Sequence, residues 1–262
     1  MKIKRKFVLL TIMALTALML FGCNGGSSGG GSDDDDNNGG GEPVSSVLAG
    51  DIVEDTTLTA DTVWELSGLV VVKDNAVLTI EPGTTIVGQS GTGANTSYLI
   101  IDKGAKIIAD GTAANPIIFT SKIAHEGGVQ APGQWGGLTI IGNAADVGVP
   151  AGEEQVQPYE VNTEFVPGST DAEDNSGVLR YVQILNSGIT MEQDKEINGL
   201  SMVGVGSGTI VDHVTVERSD DDGIEIWGGT VNLTNCTVEY CTDDQFDIDD
   251  GYSGTVTNLT IN

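Results

Sequence analysis

The chain has 262 residues, with 38 acidic side chains against 11 basic ones, for a formal net charge of −27. Binding nucleic acid needs a basic surface, so nucleic acid is excluded as a partner, while cations and cationic partners are favoured. Aromatic residues make up 5% of the chain, glycines number 37, and no segment carries helical periodicity, so the pattern is one of strands and turns.

At the N-terminus, Lys2, Lys4, Arg5 and Lys6 precede an apolar run from Phe7 to Phe21 that only Thr11 and Thr16 interrupt. The run is shorter than the ~20 residues of a membrane-spanning helix and has the layout of a secretory signal. Leu20, Gly22 and Cys23 resemble the lipobox of bacterial lipoproteins, with Phe21 departing from its usual small residue. That resemblance implies a signal peptide over 1–22. It also implies a diacylglycerol and an N-acyl chain such as palmitate on Cys23, and hence a membrane partner. Asn24, in place of Asp, points to the outer membrane or cell surface rather than the inner membrane. An ordinary secretory signal followed by an unrelated cysteine is the alternative. Residues 23–43, rich in Gly, Ser and Asp and including Asp33 to Asp36, have nothing apolar to bury and form a flexible acidic linker. Beyond Cys23 the chain holds seven basic and 38 acidic residues, a net −31.

From residue 44 to 262 the chain is long enough for one sizeable domain. Runs such as Val77 to Ile80, Tyr98 to Ile101, Ile117 to Thr120 and Leu138 to Ile141 are short and β-rich, and Pro-Gly, Lys-Gly, Asp-Gly and Asn-Pro turns separate them. Pro43 to Ser67 is expected to cap the first coil. Residues 144–177 form a long acidic insertion, of the length that marks a functional or disordered loop. The later part repeats. Val182, Val214, Cys236 and Leu259 fall in one column, and Ile184, Val216, Val238 and Ile261 in another. Ile224 aligns with Phe246 and Ile226 with Ile248. The period of about 22 residues, with one-sided alternation in each run, predicts an all-β fold, a single-stranded parallel β-helix whose coils bury their apolar face by stacking. The end at Asn262, inside an apparent strand, predicts a continuing chain or a partner over that edge.

The segments Leu78-Thr-Ile-Glu-Pro-Gly-Thr, Gly104-Ala-Lys-Ile-Ile-Ala-Asp-Gly-Thr, Gln134-Trp-Gly-Gly-Leu and Asp221-Asp-Gly-Ile-Glu-Ile-Trp-Gly-Gly resemble right-handed parallel β-helix proteins of the pectin-lyase-like superfamily, and among them bacterial surface lipoproteins. The resemblance covers about 50–262. It implies the fold, but not an activity, because the superfamily hosts lyases, hydrolases, adhesins and binding modules.

Two acidic runs lie one coil apart. Asp220, Asp221, Asp222 and Glu225 are followed, 22 residues on, by Asp243, Asp244, Asp247 and Asp249. Stacking about 4.8 Å apart, they form a candidate Ca²⁺ site, since Ca²⁺ is a hard ion that takes six to eight oxygens. A hydrated turn with splayed carboxylates is the alternative. A third reading is catalytic: Asp221-Asp222-Gly223-Ile224 resembles the paired-Asp segment of polygalacturonase-type hydrolases, which implies Asp221, Asp222, Asp243 and Asp244 as acid and base groups. Arg218 would be the base of a lyase, or else a surface ion-pair partner of Asp220 or Glu239. The Gly-His-Gly and Arg-x-Lys segments of those enzymes are missing here. His213 is read as a solvated or ladder residue within a strand running from Ile210 to Val216, Asn235 and Asn258 as an amide ladder, and Trp135 and Trp227 as packing or sugar-stacking rings. Cys236 and Cys241 either form a disulfide or remain thiols. The expected function is an envelope-tethered, Ca²⁺-stabilised binding or adhesion module for polysaccharide or another surface component. A polysaccharide lyase or glycoside hydrolase, and a structural surface component, are the alternatives.

Overall fold

The computed structural model describes residues 44–147, 156–193 and 195–262. The signal peptide, Cys23, the linker and residues 148–155 of the insertion lie outside the described residues.

The described chain winds into a parallel β-helix in which each complete coil contributes one short strand to each of three faces. A back face stacks Thr56–Leu58, Val77–Ile80, Lys106–Asp110, Gly177–Arg180, Ile210–Asp212, Asn232–Thr234 and Val256–Thr257. A side face starts from the first half of Thr62–Val72 and continues through Thr85–Gly88, Ile117–Ser121, Val182–Leu185, Thr215–Glu217, Thr237–Glu239 and Thr260–Ile261. A front face starts from the second half of Thr62–Val72 and continues through Tyr98–Ile101, Leu138–Ile141, Leu200–Val203, Ile224–Trp227 and Phe246–Asp249. Every pairing between successive coils is parallel. The expected columns are in register: Ile184 faces Val216, Val216 faces Val238, Val238 faces Ile261, and Ile224 faces Phe246.

In the later coils, what bends the chain at the corners is a residue in the left-handed region. Between back and side these are Tyr181, His213, Asn235 and Asn258, with φ of 48–55°. Between side and front they are Asn186, Arg218 and Tyr240, and after the front strand Gly204, Gly228 and Asp250. Asn, Asp and Gly adopt this conformation at little cost, unlike larger side chains. Two expectations are corrected accordingly. Ile210 to Val216 is not one strand but two, Ile210–Asp212 and Thr215–Glu217, on different faces, and His213 is the corner residue between them. Pro43 to Ser67 is not all cap either, because Thr56–Leu58 already pairs with Leu78 to Ile80. Among the described residues, the strand ahead of the first coil is Val44–Ile52, in parallel on Thr62–Val72.

Inside, Leu99, Leu138, Leu200 and Ile224 stack in one front-face column and Ile101, Ile140, Met202 and Ile226 in another, all buried. Trp135 is fully buried against Phe119, and its Nε1–H donates to the Leu185 carbonyl at 2.8 Å, so this ring is packing. A second, smaller apolar cluster lies outside the wall. There, Tyr159 and Phe165 of the insertion pack with Val71, Ile100, Ile141 and Val203, which point outward from the front face. The insertion thus covers the first half of that face. A hairpin, Ile189–Glu192 with Lys195–Ile197, interrupts a later coil between side and front.

Candidate metal centre

Beyond the insertion the front face turns acidic. Leaving the side-to-front corner, the chain runs through buried Ser219 to Asp220, Asp221 and Asp222 before the strand Ile224–Trp227. Gly223 sits where the wall of the next coil comes close: a Cβ there would meet a Val238 methyl at 2.1 Å. Asp222 is anchored between coils. Its N–H donates to Asn198 Oδ1 at 3.2 Å, its carbonyl accepts from Gly199 N at 3.0 Å, and its Oδ1 accepts from Asp244 N at 3.0 Å. Glu225 stands in register with Asp247 on the next coil and accepts a hydrogen bond from the Asn198 side chain.

Five of the eight expected ligands converge. Asp221, Asp222 and Asp243 have carboxylate oxygens within 4.8 Å of one another, as do Asp222, Glu225 and Asp247, so Asp222 belongs to both sets. Asp220, Asp244 and Asp249 are in neither. Asp220 hangs against Gly133, Asp244 contributes its backbone N–H, and Asp249 sits beside Trp227 in the next outward column. Among the described residues no ion pair includes any of the five. Burial combined with mutual repulsion pushes Asp221 up to about 7, Asp222 to about 6 and Glu225 to about 9.

Two further acids reach this region from outside the coil pattern. Glu160 of the insertion has its own pKa raised, by burial and then by Glu196 of the hairpin, and both add to the field on Asp221. Neither was among the expected ligands, because neither sits on the 22-residue period. Half-buried Trp227 meets Tyr159 edge-on and lines a cavity of about 370 Å³ with Gln157, Glu160, Asp249 and Asp250. This tryptophan therefore lies at the cleft rather than in the core.

The remaining candidates are elsewhere. The Arg218 guanidinium pairs with Glu217 and lies over the Tyr240 ring, 5.6 Å from its centroid. Its ion-pair partner is thus Glu217 rather than Asp220 or Glu239. Cys236 and Cys241 are free thiols, so the disulfide alternative gives way to the thiol one. Asn258 Nδ2 donates to Asn235 Oδ1 at 3.0 Å, forming the expected ladder.

This architecture of short parallel strands stacked coil on coil defines a parallel β-helix protein of pectin-lyase-like type. The family profile described as "Pectate-lyase like beta helix domain" matches residues 50–262, and the chain belongs to that family. No curated protein and no solved structure matches it.

Proposed function

We propose that the chain is an envelope lipoprotein, tethered through lipid on Cys23 at the outer membrane or cell surface, whose β-helix binds Ca²⁺ in the front cleft and uses it to engage polysaccharide or another surface component. One observation carries the reading: Asp222 is shared by two sets of converging carboxylates, and among the described residues no cationic side chain pairs with them. A hard divalent ion with a flexible oxygen shell relieves that repulsion better than any other ligand. Bound there with coordination positions left open, it would also bridge to an anionic glycan that the bare acidic surface repels. Calorimetric titration with Ca²⁺, and thermal melts with and without EGTA, test the reading; a melting temperature indifferent to both sinks it.

A second reading rests on Asp221 and Glu225. Carboxyls held partly protonated beside ionised ones are the acid–base arrangement of glycoside hydrolases. Reducing-sugar and unsaturated-product assays on pectin and alginate separate an enzyme from a binder.

A further inference from the structure

The outward column beside the carboxylate sets changes character along the front face. In register, it runs Ile141, Val203, Trp227 and Asp249. The first two belong to the apolar cluster beneath the insertion. Trp227 stands at the edge of that cover, half-buried, with the Tyr159 ring edge-on and 6.1 Å away between centroids. The insertion is seated directly on the corner beside this ring. A Cβ on Gly228, whose φ is 59°, would overlap a Val156 methyl, and Val156 N–H donates to Asp146 Oδ1 at 2.9 Å. What remains between Pro158, Glu160 and the wall is a roofed cavity of about 370 Å³.

The lining of this cavity has two halves. Val203, Trp227 and Pro158 offer carbon surface, while Glu160, Asp249 and Asp250 offer carboxylates. Among the described residues no lysine, arginine or histidine lines it, and no ion pair includes Glu160 or Asp249. We propose that the cavity is a second site, distinct from the metal centre, that takes a small alkylammonium ion, a short amine or diamine. The ammonium lies among the carboxylates and against the indole, whose quadrupole attracts a cation. Its methylenes cover Val203 and Pro158, as the stem of a lysine covers apolar surface.

Other ligands match one half only. A bare metal ion gains nothing from the carbon half, and Glu160, Asp249 and Asp250 stand outside both converging carboxylate sets. A carboxylate or phosphate meets three acids and no lining cation. A neutral hydroxylated ligand can donate to the carboxylates but brings no charge to offset theirs. The acidity of the whole chain attracts any cation, so the ring and a single carboxylate are what must be probed.

Calorimetric titration of the full chain in detergent with cadaverine tests this, with EGTA throughout and pentanediol as the neutral control. Saturable binding of cadaverine alone is expected, with a change in tryptophan fluorescence that Trp227→Leu removes. Trp227→Leu should weaken binding about fivefold or more, and Trp227→Phe should fall between it and the parent. Asp249→Asn, at an exposed strand position that leaves the fold intact, should also weaken it about fivefold. Asp222→Asn, which disables the metal centre, should change it by less than about twofold. Absence of saturable binding overturns the proposal, as does pentanediol binding as well as cadaverine. Equal affinity in the parent, Asp249→Asn and Trp227→Leu overturns it too, and assigns the amine to the general acidity of the chain. Loss of binding in Asp222→Asn with Trp227→Leu unchanged also overturns it and places the amine in the metal centre.

Discussion

The two ends of the front face share a backbone and differ in what they turn outward. Successive coils place Val71, Ile100, Thr139, Ser201, Glu225 and Asp247 in one outward column. At the first end these side chains are apolar and lie beneath Tyr159 and Phe165 of the insertion. Toward the second they become hydroxyls and then acids, with Glu160 near the boundary. The inward columns stay Leu, Ile, Val and Met through all the buried coils. Stacking therefore depends on the inward half of each strand alone, and the outward half is free to be covered or to do chemistry.

The largest effect is expected where the cover is removed. Tyr159 is buried, and its hydroxyl accepts a hydrogen bond from Thr139 at 3.2 Å. Tyr159→Ala should cost about 3–5 kcal/mol in urea unfolding, the range for truncating a large buried aromatic, and should expose Ile100 and Val203 to a hydrophobic dye. A loss under about 1 kcal/mol would mean that the insertion merely rests on the wall, and the contrast between covered and open ends would lose its basis.

The covered end was only partly legible in the sequence. The later coils could be read because their period holds at 22 or 23 residues: Ile210 to Asn232, Leu233 to Val256, Ile224 to Phe246. Between Ile107 and Gly177 one coil takes 70 residues, because a loop and the insertion leave the wall within it, and period alone cannot align such a coil. The single left-handed corner residue also hides itself. Val211, Val214 and Val216 all point inward, but His213 between them splits an apparent strand in two. Within the site, Asp221, Asp222, Glu225, Asp243 and Asp247 were visible as an offset of one coil. Glu160, Glu196 and Asn198 lie on connections whose course no repeat dictates, so their approach to the same carboxylates became visible only in three dimensions.

At the open end, Ca²⁺ at a hundredfold excess over its dissociation constant should add about 2.7 kcal/mol of stability. Asp222→Asn should abolish that gain, since it removes the charge common to both carboxylate sets, while Asn Oδ1 still accepts from Asp244 N. The metal-free variant should be at least as stable as the parent near neutral pH. If Asp222→Asn still responds to Ca²⁺ in full, the metal lies elsewhere.

A graded effect, spread over several pH units, follows from the raised carboxyl groups. Folding lifts Asp221 from 3.8 to about 7, Asp222 from 3.8 to about 6 and Glu225 from 4.5 to about 9. Between the unfolded and folded values the native state holds more protons, so metal-free stability falls as pH rises from about 4 to about 9. Below pH 4 both states are protonated and the loss vanishes. Melting temperatures across that window, with EGTA and with Ca²⁺, should diverge as pH rises, because the ion substitutes for the missing protons. Parallel curves would show that the acidic end is hydrated surface rather than a site.

The smallest expected effect marks where the site stops. Asp247 and Asp249 occupy the same strand, two residues and hence about 7 Å apart. Asp247 points at Glu225 and Asp222, whereas Asp249 faces the Trp227 cavity and accepts the Asp250 N–H at 2.9 Å. Asp247→Asn should therefore weaken Ca²⁺ binding about tenfold, as loss of a direct charge does. Asp249→Asn should change it by less than about 0.5 kcal/mol, as for a surface substitution away from the ion, with calorimetry reading both. Equal effects would mean that the ion responds to the summed field of the whole acidic end, Trp227 cavity included. The contrast along the front face would then be one of net charge, with no defined coordination centre, and the glycan contacts of the cleft would have to be sought around Trp227 instead.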